Sequence, residues 1–296
     1  MNYSARVRYA ELLRDLEGLD DWLVDLGIPP QQTDRTHRSI NVLERAELAY
    51  ASQSDAETAG ISKSEYLFSL TEAFELRDVY LAFRNHPPEQ LRERIARALS
   101  GPILPENETE KNRDGRNVMF ELALGAEWTL CGGTVQLVEP DLLLRMPNQI
   151  YLIACKRPER ESSVRASIRD AARQLRSALG TSGNALGVIA ISFSRILNPG
   201  KRFFAGTFED LSNLLNQLML KHRQSWQTTD FHPRNVAILF HCHTPADWGE
   251  GLFRLSASRM GPSLLEAHVH DNIRNDLERL YSGNLRRNLG ETERNP

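Results

Sequence analysis

The chain has 296 residues, 36 Lys+Arg against 39 Asp+Glu and a formal net charge of −3. Hydrophobic residues make up 41% and charged residues 25%, the balance of one large or two modest globular domains, which excludes wholesale disorder, a collagen-like rod and a disulfide-built miniature. The near-neutral balance also excludes a protein that coats nucleic acid by bulk charge.

The longest strongly apolar run, Leu186 to Phe193, is far short of the about 20 residues of a membrane helix, so no membrane partner is expected. Met1 to Arg8 has no apolar signal core. Cys131, Cys155 and Cys242 are scattered and odd in number, which suits reduced thiols in a cytoplasmic protein.

The first hundred residues read as helix, without a strand pattern. Leu12, Leu16, Leu19, Leu23 and Leu26 form one apolar stripe, stopped by Gly27 and Pro29-Pro30. A second helix is predicted over Arg38 to Ser52, a third after Ser62 and a fourth after Pro87-Pro88. Gly101-Pro102 and the polar stretch Pro105 to Asn112 mark a boundary. Residues 1–105 are therefore expected to form an all-α N-terminal domain, for dimerisation or partner docking, and residues 106–296 an α/β domain.

Beyond the boundary, Arg116 to Leu130 is helical and broken by Gly132-Gly133. Strands follow at Thr134 to Val138, Asp141 to Arg145 and Gln149 to Lys156, the last two joined by a turn at Pro147-Asn148. Ser162-Ser163 begins a helix to about Leu179, Ala185 to Ser194 reads as a buried strand, Phe208 to Gln227 as a helix, and Asn235 to His243 as a strand. Leu264 to Leu280 reads as a last helix before a polar tail.

There is no phosphate loop, dinucleotide glycine fingerprint, nucleophile elbow or paired Cys-x-x-Cys. One constellation remains: Glu121, Pro140-Asp141 and Ala154-Cys155-Lys156 followed by Arg157-Pro158. The turn at Pro147-Asn148 sends the Lys156 strand back beside the Asp141 strand, so the hairpin can bring Asp141 and Lys156 together. Glu121 sits on the helix that must pack on this sheet. Carboxylates beside a lysine suit a hard divalent cation and phosphodiester chemistry.

This stretch, roughly Arg113 to Ser194, resembles the PD-(D/E)xK nuclease superfamily, whose restriction-endonuclease-like fold has an αβββαβ core. The resemblance implies Mg²⁺- or Mn²⁺-dependent hydrolysis of nucleic acid, DNA rather than RNA, as in an effector of a bacterial defence or restriction system. Asp141 matches the metal-binding aspartate, Lys156 the catalytic lysine, Glu121 the glutamate of the first helix, and Gln174 a glutamine on the following helix. The carbonyl of Cys155 is implied as a further metal ligand. The chain departs from the pattern at Ala154, where the family places Asp or Glu. Three explanations stand open: a Glu→Ala substitution that inactivates the enzyme, a naturally non-catalytic relative that binds nucleic acid or organises an assembly, or migration of the carboxylate onto the next helix, with Asp170 as candidate and Glu161 nearer in sequence.

On that helix, Arg165, Arg169, Arg173 and Arg176 form a basic stripe that Arg157, Arg160 and Arg145 extend toward the site. Such stripes grip phosphates, although a solvated helix face explains them as well. His241 and His243 alternate along a strand and so point the same way; a zinc site with His268 and His270 needs ligands from both segments, and structural histidines are the plainer reading. The four tryptophans read as packing residues.

Overall fold

The computed structural model describes residues 2–5, 9–28, 35–52, 57, 59–109, 114–198, 203–247, 252–261 and 271–279. In chain order the elements are β1 (Asn2–Ala5), α1 (Tyr9–Asp15), α2 (Leu19–Asp25), α3 (Arg35–Ala51), α4 (Lys63–Phe83), α5 (Leu91–Ala98), α6 (Asp114–Leu130), β2 (Thr134–Leu137), β3 (Leu142–Met146) and β4 (Gln149–Lys156). They continue with α7 (Val164–Thr181), β5 (Leu186–Ser192), α8 (Ser194–Leu197), α9 (Phe208–Lys221), α10 (Arg223–Gln227), β6 (Asn235–Asp247) and β7 (Leu252–Met260), and residues 271–279 are helical.

The fold is mixed α/β. Its seven-stranded sheet has the order β1-β7-β6-β5-β4-β3-β2. β4, β5 and β6 run parallel in the middle, with antiparallel pairs outside them on both sides. The central strands are apolar on both faces because helices cover both. Tyr151, Ile153 and Cys155 of β4 join the core under α6 and α4, whereas Leu152 and Ala154 join the core under α7 and α9. α6 is buried nearly all round, since the sheet lies on one side and α4 and α5 on the other. At Gly125 an added Cβ would lie 3.3 Å from both Leu142 and Val135, so this glycine lets α6 settle close to β2 and β3.

Several predicted elements need correction. The leucine stripe spans two helices, α1 and α2, separated at Gly18, which is left-handed (φ 84°). The helix read over Phe208 to Gln227 is likewise interrupted at His222. β7 has no counterpart among the predicted elements, although Phe253, Leu255 and Ala257 alternate with Arg254, Ser256 and Ser258 along it. Of the last predicted helix, 271–279 is helical and 264–270 lies outside the described residues.

The first residues are also not purely helical. Asn2–Ala5 pairs antiparallel with β7 and forms the sheet edge. The helices of 9–99 share a single apolar core with the sheet, in which Leu23, Leu43, Phe74 and Ile95 join Leu124, Leu142 and Leu239. Residue 105 thus marks a change in element type and not a seam in the core.

Buried charges tie the helices together. Glu72 of α4 accepts from Arg35 Nε at 2.8 Å and from Arg116 Nη1 of α6 at 2.7 Å. Arg35 also donates to the carbonyls of Ala98 and Ser100 at 2.6 and 2.9 Å, and Arg116 bonds Glu108 and the Pro102 carbonyl. Among the described residues no helix is long and apolar enough to cross a membrane.

Candidate functional site

β4 ends at Lys156, and just outside that end lies a polar cavity of about 730 Å³. Crevices beyond the carboxyl ends of parallel strands are where open α/β sheets usually bind ligands. Glu121, Asp141, Lys156, Asp170 and Gln174 all line it. α6 supplies Glu121, the entry to β3 supplies Asp141, and α7 supplies Asp170 and Gln174, so four segments distant in sequence converge on one strand end.

The hairpin brings Asp141 and Lys156 together as expected. β3 and β4 pair antiparallel with Leu142 opposite Ile153, which sets Asp141 beside the end of β4. Asp141 Oδ2 accepts the Cys155 N–H at 2.6 Å. Burial pushes the Asp141 carboxyl up to about 6, against the lowering effects of that hydrogen bond and of Lys156. Glu121 is pushed further, to about 8, by burial and then by the negative charge of Asp141.

Arg94 opposes that shift in Glu121. It reaches from α5 to donate to Glu121 Oε2 at 2.5 Å and to the Val138 carbonyl at 2.8 Å. Sequence reasoning missed Arg94, because nothing in the local pattern of α5 separates it from Arg92 or Arg97.

Lys156 Nζ pairs with Asp170 Oδ2 at 2.8 Å. That bond holds the Asp170 carboxyl below its usual range. Glu161, the other candidate for a displaced carboxylate, pairs with Lys221 at 2.6 Å and His222 at 3.3 Å and does not line the cavity. Gln174 Oε1 is buried in the cavity wall and accepts no hydrogen bond among the described residues. Ala154 shares a strand face with Lys156, yet its methyl is fully buried against α7 and lines no part of the cavity. Cys155 lines the cavity, and burial raises its thiol well above the usual value, which favours the protonated form.

The arginines divide. Arg160 is exposed on the cavity rim. Arg165, Arg169, Arg173 and Arg176 are exposed along α7, where Arg173 pairs with Asp170 and Arg176 with Asp230. Arg157 lines the cavity beside Arg160; burial and the like charge of Arg116 lower it to about 10, against the raising effect of Glu75, Glu72 and Glu108.

His241 and His243 do point the same way, and the group they meet is Glu127 of α6. His268 and His270, the partners weighed from sequence, lie outside the described residues. Comparison of the chain with protein-family models, with curated proteins and with solved structures finds no match.

Proposed function

We propose that the chain is a metal-dependent nuclease that hydrolyses phosphodiester bonds of DNA at the cavity beyond β4. The observation that carries this reading is the gathering of Glu121, Asp141, Lys156, Asp170 and Gln174 around one polar cavity. The order α6–β2–β3–β4–α7–β5, with its antiparallel hairpin and parallel β4–β5 pair, agrees with the restriction-endonuclease-like core that the sequence resembles.

The donor set fits a hard divalent cation. Two buried carboxyls lie close enough that one raises the other, and a cation relieves such an arrangement through oxygen ligands. Asp141 and Glu121 would hold Mg²⁺ or Mn²⁺, with the Cys155 carbonyl as a further oxygen, and Asp170 would stand in for the carboxylate that Ala154 cannot supply. Such an ion neutralises the phosphate and activates water when bound. Lys156 donates to the charge that develops on the phosphate, and Asp170 fixes the position of its ammonium. Gln174 offers its amide to water or phosphate. Arg160, Arg165, Arg169 and Arg173 grip the flanking backbone through charge-assisted hydrogen bonds. The exposed Val24, Leu48 and Tyr50 of the N-terminal helices offer a surface for a protein partner or a second copy, as an effector of a defence system would need.

The buried methyl of Ala154 and the arginine already seated on Glu121 favour a second reading, a non-catalytic subunit that binds nucleic acid. A cleavage assay separates the two, using plasmid and single-stranded DNA with Mg²⁺ or Mn²⁺. The nuclease reading expects the chain to cut, and Asp141→Asn, Lys156→Ala and Asp170→Asn each to abolish cutting. Activity that appears only in Ala154→Glu, and is lost again with Lys156→Ala, would place the missing ligand at position 154. DNA binding that persists in EDTA, with no variant cutting, would leave the binding subunit as the better account.

A further inference from the structure

Farther along α6 from the arginine-paired Glu121 lies a second cluster, made of Glu127 from α6 and His241 and His243 from β6. All three side chains are buried, and their ligand atoms lie within 4.8 Å of one another. His243 Nε2 stands 3.3 Å from Glu127 Oε2, and His241 Nε2 stands 3.8 Å from the same oxygen. The two Nε2 atoms also face each other. A tetrahedral zinc ion with bonds of about 2.0–2.1 Å sets its ligand atoms about 3.3 Å apart, close to the two separations from Glu127, while the two imidazole nitrogens lie nearer to each other than that.

The far side of each ring is engaged as well. His241 Nδ1 meets Ser258 Oγ of β7 at 2.7 Å, and His243 Nδ1 lies 3.7 Å from Glu75 Oε1 of α4. Metal-binding histidines are oriented in this way: one nitrogen faces an outer oxygen, and the other is turned to the ion. A cation at their common focus would meet one carboxylate oxygen and two imidazole nitrogens at once, a donor set that suits a borderline metal ion.

We propose that Glu127, His241 and His243 bind a divalent transition-metal ion, zinc by the chemistry of two imidazoles and one carboxylate, in a buried site separate from the cavity beyond β4. The ion clips α6 to β6 across the core. Because Glu121 lies on the same helix, the clip also fixes the element that presents Glu121 to the candidate nuclease site.

The test is elemental analysis of the full-length chain purified without added metal and passed over chelating resin. Near-stoichiometric zinc is expected in the parent chain and in Asp141→Asn, and its loss in Glu127→Gln and in His243→Gln. Absence of zinc from the parent chain, together with failure to take up Co²⁺ on refolding, would overturn the site; so would zinc retained in full by folded Glu127→Gln. Should both ligand variants fail to fold, the Co²⁺-loaded Asp141→Asn chain decides. Ligand-field bands of a tetrahedral histidine-bound ion support the site, and their absence overturns it. None of these readouts depends on cleavage, so failure of the nuclease reading leaves this test intact.

Discussion

Glu121 and Asp141 are both held above the ordinary carboxylate range, at about 8 and about 6, chiefly by burial. Their ordinary values are 4.5 and 3.8, so at intermediate pH the folded chain keeps protons that the unfolded chain has released. Stability of the metal-free protein from these two groups is therefore greatest at low pH and is lost as pH rises through about 6 and then about 8. Divalent-ion binding needs the ionised carboxylates and runs the other way. Thermal melts from pH 5 to pH 9 should show Mn²⁺ stabilising the chain increasingly as pH rises, and Glu121→Gln should flatten that dependence. Lys156 separates activity from stability. Its ion pair with Asp170 is partly exposed and worth about 1 kcal/mol or less, so Lys156→Ala should abolish cleavage while leaving urea unfolding nearly unchanged.

At the scale of elements, the start of α4 and the Glu72 network make opposite demands. Ser62 caps α4 in a capping box with Glu65, as its place before the helix predicts. Ser62→Ala should cost about 1 kcal/mol in denaturant unfolding, because the cap is local and solvent can replace part of it. Glu72→Ala should cost about 3–5 kcal/mol, because Arg35 and Arg116 would keep their charges inside the protein with their common acceptor gone. A smaller loss would mean that Glu108 and the surrounding carbonyls are sufficient for both arginines.

At the scale of the molecule, β1 at the sheet edge and Arg94 in the candidate site both come from the region that the sequence divides off as a helical domain. The apolar faces of α4 and α5 cover α6, and α6 covers the sheet. The chain should therefore unfold in a single cooperative transition, seen alike by far-ultraviolet circular dichroism and by tryptophan fluorescence. A fragment 106–296 should lose that transition, since the outer face of α6 would be stripped to water. Two separated transitions would restore the two-domain description.

Within the site, the sequence marks the residues whose partners are near along the chain. The hairpin Leu142 to Lys156 is legible because strand alternation and a Pro147-Asn148 turn fix its register, and register alone brings Asp141 to the end of β4. α7 is legible from the spacing of Val164, Ile168, Ala172 and Leu175, and that spacing leaves Asp170 and Gln174 on one side of the helix. By itself the sequence determined most of the helices before residue 100, the order of elements from α6 to β5, and most residues of one candidate site. Only the tertiary structure decided that Asp170 and not Glu161 meets Lys156, that Arg94 reaches Glu121, that β1 closes the sheet edge beside β7, and that Glu127 meets His241 and His243. The physical reason is that periodicity records which face of an element is apolar but carries no label for the partner of a buried charge. That partner is chosen by how helices and strands pack over long sequence separations.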